Sequence, residues 1–381
     1  MRVRVARDME GPRFGKAALG AVLCAMLAST GARALRAEPA SITGVHAAPE
    51  NVEASQPGEW SARAGTALEL LDARWGREGD WQGAGGWQRF VLVDLLIAYR
   101  ERSGDPRWDE RIAKALRNRR GLALNDDALW AVIASVDGYR LEGDPELLDY
   151  AATRFAQLVT TYWDDTCGGG LWWDPRRSYK NAITNELLVT AATRLYRATG
   201  QESYRAWALR GWGWIAASGM IGDDALVRDG LAIDTRTRTC RSNGQPRWTY
   251  NQGVILSGLS DLTEMTGDPT YRARAVAMAG SALARLTHAD GTLREPVPAI
   301  GADGLSFKGI FAFHLAYLMD ALPEGAQKQA LREAARRNAA AVWRISEEGR
   351  APVDSDWTGA KRQFGAAAQG SGAAMLLAAD R

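Results

Sequence analysis

The sequence predicts an all-α protein of about twelve helices paired into antiparallel hairpins. Apolar residues recur at helical spacing along most of the chain, as they do from Ala64 to Trp75. Breaks of the form Gly-Asp-Pro follow several of these stretches. No stretch of strand length alternates apolar and polar residues between hairpin turns. These three observations indicate helices and no sheet.

Each break is expected to join two antiparallel helices tightly. At 103–106, 142–145 and 266–269, Gly ends one helix in a left-handed conformation, Asp caps the next helix, and Pro fits its first turn. Residues 199–202 form a similar joint without proline. The stretches between breaks predict helices near 62–75, 86–102, 106–117, 127–141, 145–162, 182–198, 202–216, 250–265, 269–286, 307–321, 325–344 and 362–379.

These helices are expected to close into a ring of six hairpins instead of stacking as a solenoid. The joints follow one another after 39, 57 and 67 residues, so the chain has no fixed repeat length. Long irregular insertions at 164–181, 217–248 and 288–306 are typical of the functional face of a toroid. We therefore predict one domain over 59–381, preceded by an irregular lead-in over 35–58.

The first 34 residues resemble an export signal. Five basic residues precede the apolar run 17–28, and Ala32-Arg33-Ala34 offers a small-residue cleavage site. The run is too short for a stable membrane span, so we expect a secreted or periplasmic protein. Residues 1–34 carry six Lys/Arg and two Asp/Glu, and their removal changes the formal net charge from +2 to about −2. This near-neutral charge gives no reason to expect a nucleic-acid partner.

Cysteine and histidine usage argues against a metal site. Cys167 and Cys240 remain after cleavage, and in an oxidising compartment they could pair, but their sequence separation does not decide whether they meet. The three histidines are not at ligand spacing, and there is no Cys-x-x-Cys. We expect no metal, no cofactor and a monomeric chain.

Asp126 and Asp127 are adjacent at a predicted helix start, in the segment Leu-Asn-Asp-Asp-Ala-Leu-Trp. One explanation is helix capping by Asn125 or Asp126, although capping needs one such side chain and three are present. The other is a nucleophile and general-acid pair that splits an acetal, which requires two nearby carboxyl groups with separated pKa values. Asp-Asp also recurs at 164–165 and 223–224, so the pair alone does not decide.

Three further predicted helix starts carry polar or aromatic side chains in place of a simple cap. Such helix ends are expected to face a common cleft. A sugar ring packs its C–H face on an aromatic ring, and its hydroxyl groups need donors and acceptors. The candidate carbohydrate contacts are Asn125, Asn181, Asn185, Glu186, Tyr250, Asn251, Gln252 and Lys308.

Trp172 and Trp173 follow a triple glycine in the first long insertion. These paired indoles are candidates for stacking on a sugar, and the alternative is that they fill the core between helices. Lys308 also has two interpretations. It is either a solvated lysine or the cation that keeps one of the two adjacent aspartates charged.

Five segments resemble, in order, the signatures of glycoside hydrolase family 76. They are 124–130 (LNDDALW), 167–173 (CGGGLWW), 179–186 (YKNAITNE), 248–253 (WTYNQG) and 307–310 (FKGI). The match runs from about residue 60 to the end, although the Gly-rich segment 81–88 matches only loosely. The resemblance implies an (α/α)₆ toroid and endo-acting α-1,6-mannanase activity with retention of configuration. The implied partner is an α-mannan polysaccharide or oligosaccharide.

The resemblance also implies roles for particular residues. Asp126 falls on the family's nucleophile and Asp127 on its acid/base. Asp229, which is followed by Gly230, resembles a substrate-contacting position of the family. Lys180 lies within the third matching segment.

The expected separation of the two carboxyl groups also favours retention of configuration. A retaining hydrolase needs its carboxyl groups about 5–5.5 Å apart, whereas an inverting one needs about 6.5–9.5 Å so that a water fits between. Adjacent residues at a helix start point roughly 100° apart but share one backbone segment, which favours the shorter separation. Helix amides, together with Lys308, would keep Asp126 ionised, and that charge would favour a proton on Asp127.

Other functions remain compatible with the same scaffold. A cell-wall transglycosylase would keep the aspartate pair but use a sugar acceptor in place of water. A mannan-binding protein would keep the cleft without turnover. A purely structural toroid would leave the polar helix starts unexplained.

Overall fold

Twelve α-helices make up most of the part of the chain that the computed structural model describes, which is residues 58–119, 122–234, 236–237 and 239–381. The predicted export signal (1–34) and all but the last residue of the predicted lead-in (35–58) lie outside these residues. The helices are α1 Glu59–Trp75, α2 Trp87–Ser103, α3 Asp109–Arg117, α4 Asp126–Glu142, α5 Pro145–Tyr162, α6 Ala182–Thr199, α7 Glu202–Ala217, α8 Thr249–Thr266, α9 Pro269–Arg285, α10 Gly304–Ala321, α11 Ala326–Ile345 and α12 Ala366–Ala378.

The even-numbered helices form a closed inner ring. Each contacts the next one in order, from α2 through α4, α6, α8 and α10 to α12, and α12 returns to α2. The odd-numbered helices pack outside this ring, each against a sequence-adjacent inner helix, with α1 against α12 as well. The prediction of an all-α ring of six helix hairpins is therefore confirmed, and the architecture is an (α/α)₆ toroid.

Burial explains which helices lie inside. Every residue of α12 is buried, and α6 is buried continuously from Ala182 to Leu195, because inner helices have neighbours on all sides. The outer helix α5 instead buries a stripe that contains Leu147, Ala151 and Phe155 and exposes its other face. No helix in the described part of the chain has the length and apolar character needed to cross a bilayer.

The joints between hairpins have the predicted capping chemistry. Gly143 ends α4 with φ of 75°, a left-handed conformation that side chains other than glycine rarely adopt. The side chain of Asp144 then accepts the backbone N–H of Glu146, and Pro145 occupies the first turn of α5. The same arrangement at Gly267 and Asp268 starts α9.

Two small antiparallel sheets correct the prediction that the chain has no strands. The strands β1 (Gly76–Arg77) and β2 (Asp80–Trp81) pair in one sheet, and β3 (Leu231–Asp234) and β4 (Thr239–Ser242) pair in the other. Strands this short carry too few residues for an alternating pattern to be recognised. A disulfide between Cys167 and Cys240 links the first long insertion to β4, with the two Cα atoms 5.6 Å apart.

Candidate active site

One cleft of about 320 Å³ opens at the end of the ring where the inner helices begin. The first turns of α2, α4, α6, α8 and α10 contribute to it, and the insertions between hairpins supply its walls. Helices that start at the same end of a ring bring residues distant in sequence together. The lining residues are Trp87, Asp126, Asp127, Trp130, Trp173, Tyr179, Asn181, Ile183, Asp229, Tyr250, Asp303 and Phe307.

The aspartate pair lies at the first two positions of α4. The side chain of Asn125 accepts the backbone N–H of Asp127 at 3.1 Å and is therefore the helix cap. The expectation that Asn125 contacts substrate is replaced by this capping role. Because Asn125 caps the helix, Asp126 and Asp127 are not required as caps, and both project into the cleft.

Burial is the main cause that raises the pKa of both carboxyl groups. For Asp126, burial and then the charge of Asp127 raise the pKa to about 7, against the lowering effect of a hydrogen bond from Trp173. For Asp127, burial raises the pKa as well, the backbone N–H of Ala123 opposes it, and Asp303 adds to it. The raised pKa of Asp126 lets this carboxyl group exchange its proton near neutral pH.

Lys308 does not perform the predicted electrostatic role. Its ammonium group is buried 4.4 Å from the centre of the Trp357 ring, in a neighbouring pocket that also contains Glu295. Burial lowers the pKa of Lys308 to about 8, although Glu295 opposes this shift. Lys308 is not among the main groups that shift the pKa of either aspartate and lines a different pocket, so the structure does not support the expected role of Lys308 in keeping Asp126 ionised.

Aromatic rings form the walls of the cleft. Trp87 stacks on Trp130 with ring centres 5.7 Å apart, and Tyr250 stacks on Phe307 at 4.0 Å. Trp173 is 40% exposed, which is unusual for a large apolar side chain. Flat rings of this kind can pack against the C–H face of a sugar.

A second carboxylate network lies on another side of the cleft. Asp229 accepts a hydrogen bond of 2.5 Å from the hydroxyl of Tyr179 and a longer one of 3.4 Å from Asn251. Glu186 is fully buried close to this group, and burial, together with the charge of Asp229, raises its pKa well above the usual range. Glu186 and Asn251 therefore lie beneath the cleft surface, which corrects the expectation that they contact substrate directly.

Four other predicted contacts hold loops in place and do not reach the cleft. The indole N–H of Trp172 donates to Asp164 at 2.7 Å, and Lys180 donates to the same carboxylate at 2.9 Å. Asn185 binds the backbone of Leu171 through both its oxygen and its amide nitrogen. Gln252 binds the backbone of Val227 in the same two-sided way. All four side chains are buried and none lines the cleft, so the structure gives Trp172, Lys180, Asn185 and Gln252 a supporting position in place of the expected direct substrate contact.

Of the predicted contacts, Trp173, Asn181, Asp229 and Tyr250 do line the cleft together with the aspartate pair. The sequence reasoning missed further lining residues. Tyr179 and Phe307 lie inside the segments that matched the family, and Trp87 lies within the Gly-rich segment that matched loosely. The missed residues are Trp87, Trp130, Tyr179, Ile183, Asp303 and Phe307.

Asp303 directly precedes α10, a position at which an aspartate is normally interpreted as a helix cap. Its side chain makes no capping hydrogen bond to α10. Its charge instead raises the pKa of Asp126 and Asp127.

A larger cavity of about 460 Å³ lies at the opposite end of the ring, between the C-terminal halves of inner helices. Its charged side chains largely pair with one another, as Arg194 does with Asp137 at 3.2 Å and Arg381 with Asp320 at 2.8 Å. No two of its carboxylates are adjacent in sequence. The cleft beside Asp126 therefore has the chemistry of a reaction site although it is the smaller cavity.

The cleft contains four carboxylic acids and no lysine or arginine among its lining residues. No group of three or more His, Cys, Asp and Glu in the described residues is placed to hold a metal ion. Acids that exchange protons beside exposed aromatic rings can protonate and attack an acetal. This combination at the mouth of a helical toroid defines the protein as a carbohydrate-active enzyme of the glycoside hydrolase class.

The family follows from comparison with known proteins. Residues 73–379 match the model of glycosyl hydrolase family 76, and the chain belongs to that family. It is 28% identical over 277 residues to mannan endo-1,6-alpha-mannosidase DCW1 of Candida glabrata, a match that covers 65% of this chain and 60% of the relative. The DCW1 protein of Saccharomyces cerevisiae is also 28% identical, over 64% of this chain and 58% of the relative. The chain thus matches somewhat under two thirds of the length of these curated relatives.

The fold has a counterpart among solved structures. An inactive variant of the α-1,6-mannanase GH76A of Salegentibacter sp. HEL1_6, with two consecutive aspartates changed to asparagine, has been solved in complex with α-1,6-mannotriose. It superposes with a TM-score of 0.77 at 22% identity and covers 84% of this chain and 99% of that one. This likeness shows the shared toroid.

Proposed function

We propose that the protein is an endo-acting, retaining glycoside hydrolase that cleaves α-1,6-mannosidic linkages in mannan. The observation that carries the proposal is the adjacent pair Asp126 and Asp127 at the floor of an aromatic-walled cleft. The relatives named mannan endo-1,6-alpha-mannosidase and the α-1,6-mannotriose complex of the similar mannanase support the choice of substrate.

The proposed mechanism is a double displacement. Asp126 attacks the anomeric carbon while Asp127 gives its proton to the departing glycosidic oxygen, which leaves a glycosyl-aspartate. Asp127, now ionised, then removes a proton from water as the water attacks the same carbon. Trp173, Asn181, Asp229 and Tyr250 are the proposed sugar contacts, because they line the cleft around the pair.

We further propose that the enzyme acts outside the cytoplasm as a monomer. The export-like sequence over 1–34 and the Cys167–Cys240 disulfide support this location, because disulfides persist in oxidising compartments. N-terminal sequencing of the protein recovered from the medium or periplasm tests the cleavage after residue 34.

Digestion of linear α-1,6-mannan tests the function. We expect new reducing ends, oligosaccharides of intermediate length at early times and, by NMR, α-anomeric products formed first. Asp126→Asn and Asp127→Asn should each lower the rate by several orders of magnitude. Asp223→Asn is the matched control, because Asp223 and Asp224 are also adjacent but lie outside the cleft.

Each alternative gives a different product. Binding of mannan without new reducing ends would replace hydrolysis by a binding function. Oligosaccharides longer than the substrate would indicate transglycosylation, and β-anomeric products formed first would indicate inversion.

A further inference from the structure

Trp173 contacts the aspartate pair in a way that sugar stacking does not explain. Its indole N–H donates a hydrogen bond of 2.9 Å to Oδ1 of Asp126. The ring is 40% exposed, and among the described residues only Trp173 and Phe364 are large apolar side chains with this degree of exposure. An exposed indole whose polar edge points at a catalytic carboxylate is placed to act on that group.

The surrounding loop fixes the position of this indole without any bound sugar. The backbone N–H of Trp173 donates to the carbonyl of Tyr179 at 2.8 Å, and the two rings meet edge to face at 6.4 Å. The hydroxyl of Tyr179 is held in turn by Asp229, and it accepts a hydrogen bond of 3.0 Å from Asn243. A donor that is positioned in advance loses little conformational entropy when the reaction needs it.

The contact makes the two oxygens of Asp126 unequal. Trp173 donates to Oδ1, whereas no side chain in the described part of the protein donates to Oδ2. A carboxylate oxygen that accepts an N–H bond is less nucleophilic, because the donor withdraws its charge. The free oxygen is therefore the better attacking atom.

We propose that Trp173 is a positioning residue that selects the attacking oxygen of Asp126, a proposal that rests on the double displacement above. The oxygen turned away from Trp173 forms the bond to the anomeric carbon as the glycosidic C–O bond breaks, and Asp127 gives its proton to the leaving oxygen. The oxygen that faces Trp173 becomes the carbonyl of the resulting ester.

The same hydrogen bond assists the second step. When water attacks the anomeric carbon and gives its proton to Asp127, the ester C–O electron pair returns to Asp126. The negative charge that develops on the carboxylate is stabilised by the indole N–H. Trp173 thereby makes Asp126 a better leaving group as well as an oriented nucleophile.

Trp173→Phe separates this role from stacking, because phenylalanine keeps an aromatic face and removes the donor. We expect kcat to fall about tenfold to a hundredfold, the range for a hydrogen bond to a charged group, with a small change in KM. The acid limb of the kcat/KM profile should move to higher pH, because the N–H favours the ionised carboxylate. Trp87→Phe is the matched control, since it removes an indole N–H from the same cleft and should leave the acid limb in place.

Wild-type kcat and an unmoved acid limb in Trp173→Phe, with a raised KM only in Trp173→Ala, would overturn the proposal and leave Trp173 as a stacking platform. The structure of a glycosyl-enzyme trapped with a fluorinated mannosyl donor gives a second reading. We expect the indole nitrogen within hydrogen-bond distance of the ester carbonyl oxygen, and an indole bonded to the ester oxygen joined to the sugar would contradict the assignment.

A third measurement needs no substrate and separates the two proposals. Carbon-13 NMR of labelled aspartate follows the titration of Asp126 in wild type and in Trp173→Phe, and we expect a higher pKa in the variant. An unchanged titration refutes the contact itself. An active wild type with an unchanged titration therefore refutes only the role of Trp173, whereas an inactive wild type refutes the hydrolase and the attacking-oxygen proposal with it.

Discussion

Lys180 donates from its fully buried ammonium group to Oδ1 of Asp164 at 2.9 Å, at the base of the loop that carries Trp173. The same ammonium group also donates to the carbonyls of Thr166 and Gly169 at 2.7 and 2.6 Å. Burial acts to raise the pKa of Asp164, but hydrogen bonds from Lys180 and Trp172 lower it to about 2. This lysine therefore connects both ends of the loop over 164–180.

Lys180→Met should destabilise the protein by about 2–3 kcal/mol, because it removes the cation beside the partly buried carboxylate of Asp164 and a hydrogen-bond donor to two loop carbonyls. Urea unfolding measures the change. Lys114→Met is the control, since Lys114 forms an exposed ion pair with Glu110 and should leave the unfolding free energy almost unchanged. Equal effects of the two substitutions would show that Lys180 does not anchor the loop.

The neighbouring indoles Trp172 and Trp173 should respond in opposite ways to truncation. Trp172 is 3% exposed, so Trp172→Ala should lower the unfolding free energy by about 3–5 kcal/mol, as buried aromatic residues do. Trp173→Ala should cost about 1 kcal/mol or less and should instead weaken mannan binding. Calorimetric melting and titration with mannan oligosaccharides measure the two effects, and a similar loss of stability in both variants would contradict the assignment.

The fold could be predicted from the sequence because its signals are local. Glycine, aspartate and proline at a joint such as 142–145 determine the backbone of three consecutive residues whatever lies elsewhere in the chain. Two of the displaced helix starts lie where no such signal exists. The helix α10 begins at Gly304 and not near 307, and α12 begins at Ala366 and not near 362, each after an irregular loop.

The roles of the polar residues could be predicted only in part, because they depend on how the long insertions fold over the start of each helix. Asn181 and Asn185 are both polar residues at the start of α6. Asn181 lines the cleft, whereas Asn185, one turn later, binds the backbone of Leu171. Residues four apart share a helix face, so which one meets a loop and which meets solvent depends on how the insertion folds over that face. No local pattern encodes that path, and the same reason explains the misplaced Lys308.

The pH dependence of hydrolysis should reveal the role of Asp126. Burial and the charge of Asp127 raise the pKa of Asp126 to about 7. A nucleophile must be ionised, so kcat/KM should fall as the pH decreases through about 7. If Asp126 were the general acid, it would have to be protonated, and kcat/KM would instead fall as the pH increases through the same value.

Asp303 provides a variant that should move the acid limb of the kcat/KM profile. Its negative charge raises the pKa of Asp126 and of Asp127, so Asp303→Asn should shift the acid limb to lower pH. Asp223→Asn removes a carboxylate outside the cleft and should leave the limb in place. An acid limb that Asp303→Asn leaves unmoved would assign it to a group other than the aspartate pair.

Azide can distinguish the two aspartates by the anomer that it produces. In Asp127→Ala, an aryl α-mannoside with a good leaving group should still form the glycosyl-aspartate, because such a group departs without a proton. Azide can then occupy the space of the missing carboxylate and attack the β-linked intermediate, which gives the α-mannosyl azide. In Asp126→Ala, no covalent intermediate can form, and azide in the vacated space attacks the substrate directly to give the β-mannosyl azide.

The azide products therefore report, independently of the rates, which aspartate is the nucleophile and which is the acid/base. One displacement inverts the anomeric carbon and two restore it, so the product anomer counts the displacements that took place. An α-azide from Asp126→Ala together with a β-azide from Asp127→Ala would exchange the two roles. The adjacency of the carboxyl groups would then still support retention, while the hydrogen bond from Trp173 would have to be assigned to holding the acid in place of the nucleophile.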